Sequence, residues 1–273
     1  MHVVALWIQT HRALVDATGI DALYGLAAWI VLACGRVSLC TAAFGALGAA
    51  AAGVWSSHHH ASIATELVAG AAAAAVAGLA AGAVLGRLRA VPFAVATLAL
   101  SMALIPLHRQ LAAASPLKAT TAVIYAVLGS CISASWLAMR SRAGAAVRAV
   151  ASDEALAATS GTDPVLVRTI ALGASALVAG LAEVLSIGRL PYPGFDRSVD
   201  ALAVAVIGGT STAFGPLLGA GALSAVSLVG DLSAFRNVLA FTALLACALF
   251  APGGIASIRK VWDARWRSSG ARA

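Results

Sequence analysis

The sequence contains 273 residues, of which 61% are hydrophobic and only 11% charged, and its mean hydropathy is +0.92. Soluble domains carry about 25% charged residues, so this composition excludes a soluble domain and predicts a polytopic, all-α membrane protein. In a soluble chain, the net charge of +7 would suggest nucleic-acid binding. Here the cations lie at the ends of apolar segments, where Lys and Arg set the membrane topology. We therefore expect no nucleic-acid partner.

The first apolar run, residues 3–10, is too short to cross a hydrocarbon core of about 30 Å, which takes about 20 helical residues. No basic region precedes it, and we expect it to belong to the mature protein and to lie at the membrane interface. Residues 20–34 are predicted as the first crossing. Gly35, Arg36 and Ser38 then interrupt the apolar run. Because an interrupted membrane segment needs neighbouring protein or a watery cavity, this break is a candidate lining of a path.

Residues 55–60 read as a short polar turn that ends in three consecutive histidines. Adjacent residues of a helix cannot all face one ion, so a solvated loop is favoured over a metal site. The four cysteines lie in or beside apolar runs without C-x-x-C spacing, which favours buried, unpaired thiols.

Residues 63–86 form the next predicted crossing, with small residues at every fourth position: Gly70, Ala74, Gly78, Gly82 and Gly86. Such a stripe allows helices to pack closely within lipid. Crossings are also predicted for residues 91–112, 117–139 and 166–187. Glu183, near the end of the last of these, is interpreted as an interfacial carboxylate that snorkels towards water or, slightly less favoured, as a functional membrane charge.

The loop of residues 140–168 separates two of these crossings. Within it, Ser152 is predicted to cap one short helix of roughly two turns, with Asp153 and Glu154 in the first turn. Gly161 suits the position after the helix end, and Pro164 prevents continuation. A well-defined short helix on a membrane protein is a candidate docking element.

The last part of the chain contains a second interrupted segment. Residues 199–207 are apolar but short and run into GGTSTAFGPLLGAG, after which crossings are predicted to about residue 229 and over residues 238–250. Two Gly/Pro-interrupted stretches in the two halves of a membrane chain point to a transport site near the midplane. In total we expect about 8–9 transmembrane helices in residues 1–255, followed by a basic cytoplasmic tail in residues 256–273.

Topology follows from the cations. With residues 140–168 inside, most cations fall inside, and the C-terminus is predicted to be cytoplasmic. The predicted inside set is Arg87, Arg89, Arg140, Arg142, Arg148, Arg168, Arg259, Lys260, Arg265, Arg267 and Arg272. The predicted outside set is Arg12, Arg109, Lys118, Arg189, Arg197 and Arg236.

Five stretches together resemble a known family. They are GRVSLCTAAFGALGA (residues 35–49), RLRAVPFAVATLAL (87–100), the loop at 140–168, SVDALAVAVIGGTSTAFGPLLGA (198–220) and FAPGGI (250–255). In this order they resemble the branched-chain amino acid permeases of ABC importers, of the LivH/LivM type. The resemblance covers residues 23–255. The sequence departs from the family pattern at Arg36, Cys40, Thr41 and Glu183, which leaves the transported solute open.

The resemblance implies a permease subunit that imports branched-chain or other hydrophobic amino acids through the bacterial inner membrane, with no catalytic residue, metal or cofactor of its own. Neither Lys118 nor Lys260 follows a glycine, so no G-x-x-x-x-G-K-S/T phosphate loop exists and ATP with Mg²⁺ is expected on partner subunits. The implied partners are a second permease subunit, two ABC ATPases, an extracytoplasmic substrate-binding protein and membrane lipids.

Site residues follow from the same resemblance. The contact with the ATPase is expected at Ser152, Asp153, Glu154, Ala157, Ala158 and Gly161. The translocation pathway is expected at Ser38, Leu39, Ala43, Phe44, Gly208, Gly209, Gly215 and Pro216. Three alternatives stay open: a permease for urea or short amides, an ion-coupled secondary transporter using Glu66, Glu183 or Asp200, and, least favoured, a metalloenzyme using residues 58–60.

Overall fold

A computed structural model describes residues 12–58, 62–111, 119–189 and 194–227, together with residue 242. These residues form helices and no strands, as predicted. In chain order, the helices are α1 (Arg12–Leu32), α2 (Thr41–His58), α3 (Ile63–Leu85), α4 (Ala90–Leu111), α5 (Thr121–Arg140), α6 (Arg142–Ser152), α7 (Glu154–Thr159), α8 (Pro164–Ser186), α9 (Phe195–Gly208) and α10 (Gly215–Ser227).

Four of these helices, α1, α3, α5 and α8, are long and apolar enough to cross a membrane. The expected number of about 8–9 crossings is not confirmed by the described residues. The predicted interfacial segment at residues 3–10 and the basic tail lie outside them, as does the predicted crossing at residues 238–250 apart from residue 242. The first crossing starts at Arg12, earlier than predicted, and its first turns bond α5, where the Tyr125 hydroxyl donates to the Val15 carbonyl oxygen at 3.0 Å.

Helix α8 is the centre of the packing and contacts α1, α2 and α3. The predicted stripe of small residues on α3 lies on α8. The two helices can approach closely because glycine has no side chain. A Cβ atom at Gly82 would lie only 2.8 Å from the Thr169 Cα atom. Helix α2 packs equally closely on the later part of α8, where a Cβ atom at Gly48 would lie 2.7 Å from the Gly180 Cα atom. Small residues therefore set the spacing of the central helices.

Charged and polar contacts mark two ends of the helix bundle. At one end, Arg12 donates a hydrogen bond to Thr121, and Arg189 forms an ion pair with Asp16, with 3.1 Å between Nε and Oδ2. At the opposite end, Arg168 donates to the Gly86 carbonyl oxygen. Arg12 and Arg189, both predicted to lie outside, are thus at one end, and Arg168, predicted to lie inside, is at the other.

Two local predictions were wrong. Helix α2 continues to His58, so the predicted polar turn begins later; residues 59–61 lie outside the described part. Glu183 does not snorkel to water, because its residue is only 3% exposed and its carboxylate accepts a hydrogen bond from the Tyr24 hydroxyl. Arg189, which follows the same helix, bonds Asp16 on α1. Cys34 and Cys40 are buried, as predicted, whereas Cys131 is half-buried and Cys247 lies outside the described residues.

Candidate functional site

The loop between α5 and α8 holds two helices rather than the single predicted one. Helix α6 follows α5 after a one-residue break at Ser141, and Ser152 is its last residue. Asp153, not Ser152, caps α7: its Oδ1 accepts hydrogen bonds from the amides of Ala155 and Leu156 at 2.9 and 3.0 Å. The prediction failed because a carboxylate one residue later reaches both free amides of the first turn, whereas the Ser152 hydroxyl bonds back into α6.

The end of α7 is as the sequence predicts. Gly161 has a φ of 85°, a left-handed conformation that suits glycine after a helix. Asp163 then caps α8, and Pro164 is its first residue. Helix α7 is thus a short helix of six residues, somewhat under two turns, that is fixed at both ends. Ala157 faces inward and is buried, whereas Leu156 is 68% exposed.

Glu154, at the start of α7, attaches this turn to the membrane-spanning body. Its carboxylate accepts two hydrogen bonds from Arg168 of α8, at 2.9 and 2.5 Å, and one from Arg36 at 3.2 Å. The two arginine side chains are 5% and 8% exposed, while that of Glu154 is 53% exposed. Hydrogen bonding to Arg168 lowers the pKa of Glu154, and the charge of Arg36 adds to the effect.

Arg36 belongs to the first interrupted segment, residues 33–40, which is not helical. The amides of residues 33–36 bond back to carbonyl oxygens of α1, and side chains of other helices bond amides that follow them, as a break within a membrane requires. The Leu39 amide donates to Thr97 of α4 at 3.2 Å, and the Ala42 amide donates to Ser198 of α9 at 3.0 Å. The break therefore connects the loop end of the molecule to the start of α9.

The second interrupted segment, residues 209–214, is the turn of a helical hairpin formed by α9 and α10. Trp29 of α1 donates its indole N–H to the Thr210 carbonyl oxygen at 2.9 Å. The far ends of both short helices return to the first half of α1, where Thr18 bonds Ser224 at 2.7 Å and Arg197 pairs with Asp21 at 3.3 Å. Helix α9 has 14 residues, too few to cross a hydrocarbon core by itself, and α10 is described over 13 residues, to Ser227.

The predicted pathway residues are mostly interior. Seven of them, Ser38, Ala43, Phe44, Gly208, Gly209, Gly215 and Pro216, are buried, and Leu39 is half-buried. The segments themselves expose other residues: Val37 is 44% exposed and Phe214 49%. The first break joins α9 near Ser198, whereas the second lies at the opposite end of α9.

A polar cluster that the sequence analysis did not assemble lies among α1, α8 and α9. The Glu183 carboxylate accepts from Tyr24, and the Arg197 guanidinium lies 5.4 Å from the centroid of the Tyr24 ring while it pairs with Asp21. The signal was present, since charged residues within membrane segments pair with one another. Their partners could not be assigned because Tyr24 and Glu183 are 159 positions apart. In the part of the chain that the structure describes, no group of three metal-binding side chains occurs.

The structure combines long apolar helices with two interrupted segments, and a short helix is attached to one of these segments. This architecture defines a polytopic helical membrane protein of the transporter class. The family model of the branched-chain amino acid transport system, permease component, matches residues 106–251, and the chain belongs to this family. The match includes the loop and the α9–α10 hairpin, while the first interrupted segment precedes it. No curated protein and no solved structure matches the chain.

Proposed function

We propose that this chain is the membrane-spanning permease subunit of an ATP-binding cassette importer in the bacterial cytoplasmic membrane. In this proposal it translocates branched-chain or other hydrophobic amino acids delivered by an extracytoplasmic binding protein. It works with a second permease subunit, identical or homologous, and with two ATPase subunits that bind ATP and Mg²⁺. Membership of the permease family and the absence of a phosphate-binding loop from the sequence support this division of labour.

The observation that carries the proposal is the placement of α7. It presents an exposed leucine, Leu156, on the outer side of the loop, while Glu154 on the same turn holds buried arginines on two other segments. An apolar side chain on an exposed, capped turn suits contact with a groove on a partner protein. We therefore assign the ATPase contact to residues 152–161, with Leu156 in the groove and Glu154 facing the permease.

The ion pairs of Glu154 also connect α7 to segments within the membrane-spanning part of the protein. Displacing α7 moves the Glu154 carboxylate, and with it Arg36 in the first interrupted segment and Arg168 in α8. Non-helical backbone with few ladder hydrogen bonds changes shape at lower cost than a continuous helix, so the interrupted segments are the parts that we expect to rearrange. We propose that residues 38–44 and 208–216 switch between exposure to one side of the membrane and to the other.

The first test measures assembly with the ATPase. With the ATPase co-expressed, Leu156→Ala is expected to reduce ATPase co-purification and ATPase stimulation several-fold, because the exposed side chain in the interface is lost. Leu137→Ala is the matched control, since Leu137 is 66% exposed but lies on the membrane-spanning α5. If the ATPase co-purifies with both variants at the wild-type yield, α7 is not the contact with the ATPase.

The transported solute is tested separately, in vesicles that contain the assembled complex and the binding protein. Uptake of labelled leucine that requires ATP supports the amino acid importer. Uptake of labelled urea instead would assign the chain to the short-amide permeases. Transport by the purified chain alone, driven by an ion gradient and indifferent to nucleotide, would contradict the importer proposal altogether.

A further inference from the structure

An apolar cavity of about 450 Å³ lies between α1, α5, α6 and α8, in the half of the molecule nearest the loop. Its wall includes the Trp29 ring, Ala134 of α5, Val147 of α6 and Leu177 of α8. Ala134 and Leu177 are exposed, so the cavity opens on the surface of the membrane-spanning helices. A site of this kind can take only an apolar ligand.

The length of the cavity fits one leaflet of a bilayer. Its wall on α8 extends from Leu166 to Val178, which at a rise of about 1.5 Å per residue is roughly 18 Å. Its wall on α5 extends from Cys131 to Met139, next to the loop end of that helix. Half of a hydrocarbon core is about 15 Å thick. The cavity therefore covers the depth of one acyl chain, from the membrane boundary to the midplane.

Cations lie next to the loop end of this cavity, and Arg148 Nη1 donates to the carbonyl oxygen of Met139, a residue of the cavity wall, at 2.7 Å. Arg140, Arg142 and Arg148 are exposed there, and residues 140–148 contain no acidic residue. The Arg140 guanidinium lies 3.7 Å from the centroid of the Trp136 ring, an arrangement suited to the membrane interface. Helix α6 is amphipathic: Ala143, Gly144 and Val147 line the cavity, while its two arginines do not. An apolar slot with cations at only one end complements a phospholipid with an anionic headgroup.

We propose that the cavity binds one acyl chain of an anionic phospholipid from the leaflet on the loop side, with its phosphate held by Arg142 and Arg148. This site is distinct from the ATPase contact and does not depend on the transport proposal. Binding there connects α5, α6 and α8, and so stabilises the part of the loop that precedes α7.

The experiment uses the purified full-length chain and native mass spectrometry with phosphatidylglycerol or phosphatidylcholine of the same acyl chains. The wild-type protein is expected to retain phosphatidylglycerol preferentially. Arg142→Gln/Arg148→Gln is expected to lower phosphatidylglycerol retention by roughly tenfold or more, to the level of phosphatidylcholine. Ala134→Trp, which fills the slot, is expected to abolish retention of both lipids, and Ala174→Leu gives a milder filling of the same slot if the larger side chain impairs folding.

Arg87→Gln/Arg89→Gln is the matched control, because it removes two exposed arginines at the same end of the molecule but outside the cavity wall. It is expected to leave retention unchanged. Equal retention of the two lipids by wild-type protein, or equal losses in both double variants, would overturn the proposal. A photoreactive acyl chain that labels only other surfaces would also overturn it, as would slot-filling variants that change the oligomeric state and leave lipid retention unchanged.

Discussion

Arg36 and Glu154 are 118 positions apart in the chain and form an ion pair with 3.2 Å between Nη2 and Oε2. This contact joins the first interrupted segment to the short helix of the loop. Arg168 shares the same carboxylate, so one acidic residue holds two buried cations. Leaving either cation without this carboxylate is costly, because a buried charge has lost its solvation and Arg168 would keep only its bond to the Gly86 carbonyl oxygen.

Replacing Glu154 by Gln is expected to release α7 from the body of the protein. The amide keeps the size of the side chain but loses the charge that pairs with Arg36 and Arg168. Hydrogen–deuterium exchange over residues 154–161 should rise, and transport by the assembled complex should fall while ATPase co-purification persists. Asp153→Asn is the matched control, because asparagine also caps helices well. Equal exchange in the two variants would contradict the role of the Glu154 ion pairs.

The attachment of α7 should depend on pH in a defined direction. Because the pKa of Glu154 in the folded protein lies below its ordinary value of 4.5, its contribution to stability is present above pH 4.5 and is lost as the pH falls through the lowered pKa. Exchange over residues 154–161 should therefore remain constant between pH 7 and pH 5, after correction for the intrinsic rate, and rise below the ordinary pKa. Glu154→Gln should show no such acid-dependent rise. A rise near neutral pH would point to a different titrating group.

The close crossing of α2 and α8 predicts opposite effects for two Gly→Ala substitutions. A Cβ atom at Gly48 would meet the backbone of Gly180 at 2.7 Å, so Gly48→Ala should destabilise the protein by about 1–3 kcal/mol. A Cβ atom at Gly129 on α5 has nothing within 4 Å, and Gly129→Ala should stabilise the helix by about 0.5–1 kcal/mol. Thermal unfolding in detergent measures both. A lower Tm for Gly129→Ala than for Gly48→Ala would contradict the packing.

The buried contact between Tyr24 and Glu183 predicts an asymmetry between its two partners. Tyr24→Phe removes the donor and leaves the carboxylate in the interior without that bond, which should cost about 1.5–3 kcal/mol. Glu183→Gln removes the charge and keeps an acceptor oxygen for Tyr24, so its cost should be smaller. Unfolding measurements on the two single variants and the double variant give the coupling energy. Additive effects would show that the two side chains do not interact.

The chain sequence is sufficient to place most of the helices and both interruptions. Long apolar runs require helices because lipid supplies no hydrogen bonds, and Gly, Pro and polar residues mark where helices stop. The stripe that begins at Gly70 and the left-handed Gly161 were also predictable, since a residue without Cβ is needed wherever backbones approach closely or φ is positive. The family resemblance comes from the same local patterns.

Partners distant in sequence were decided only by the tertiary structure. Nothing local shows that Arg36 bonds Glu154, that Glu183 is covered by Tyr24, or that α9 and α10 form a hairpin held by Trp29. A charged residue in an apolar segment needs a partner of opposite charge or a hydrogen-bonding partner. The sequence offers several such partners for each charged residue, and only the packing around α8 selects among them. The sequence therefore determined that these charges are paired and that the helices are interrupted, whereas the packed helices determined which charges meet.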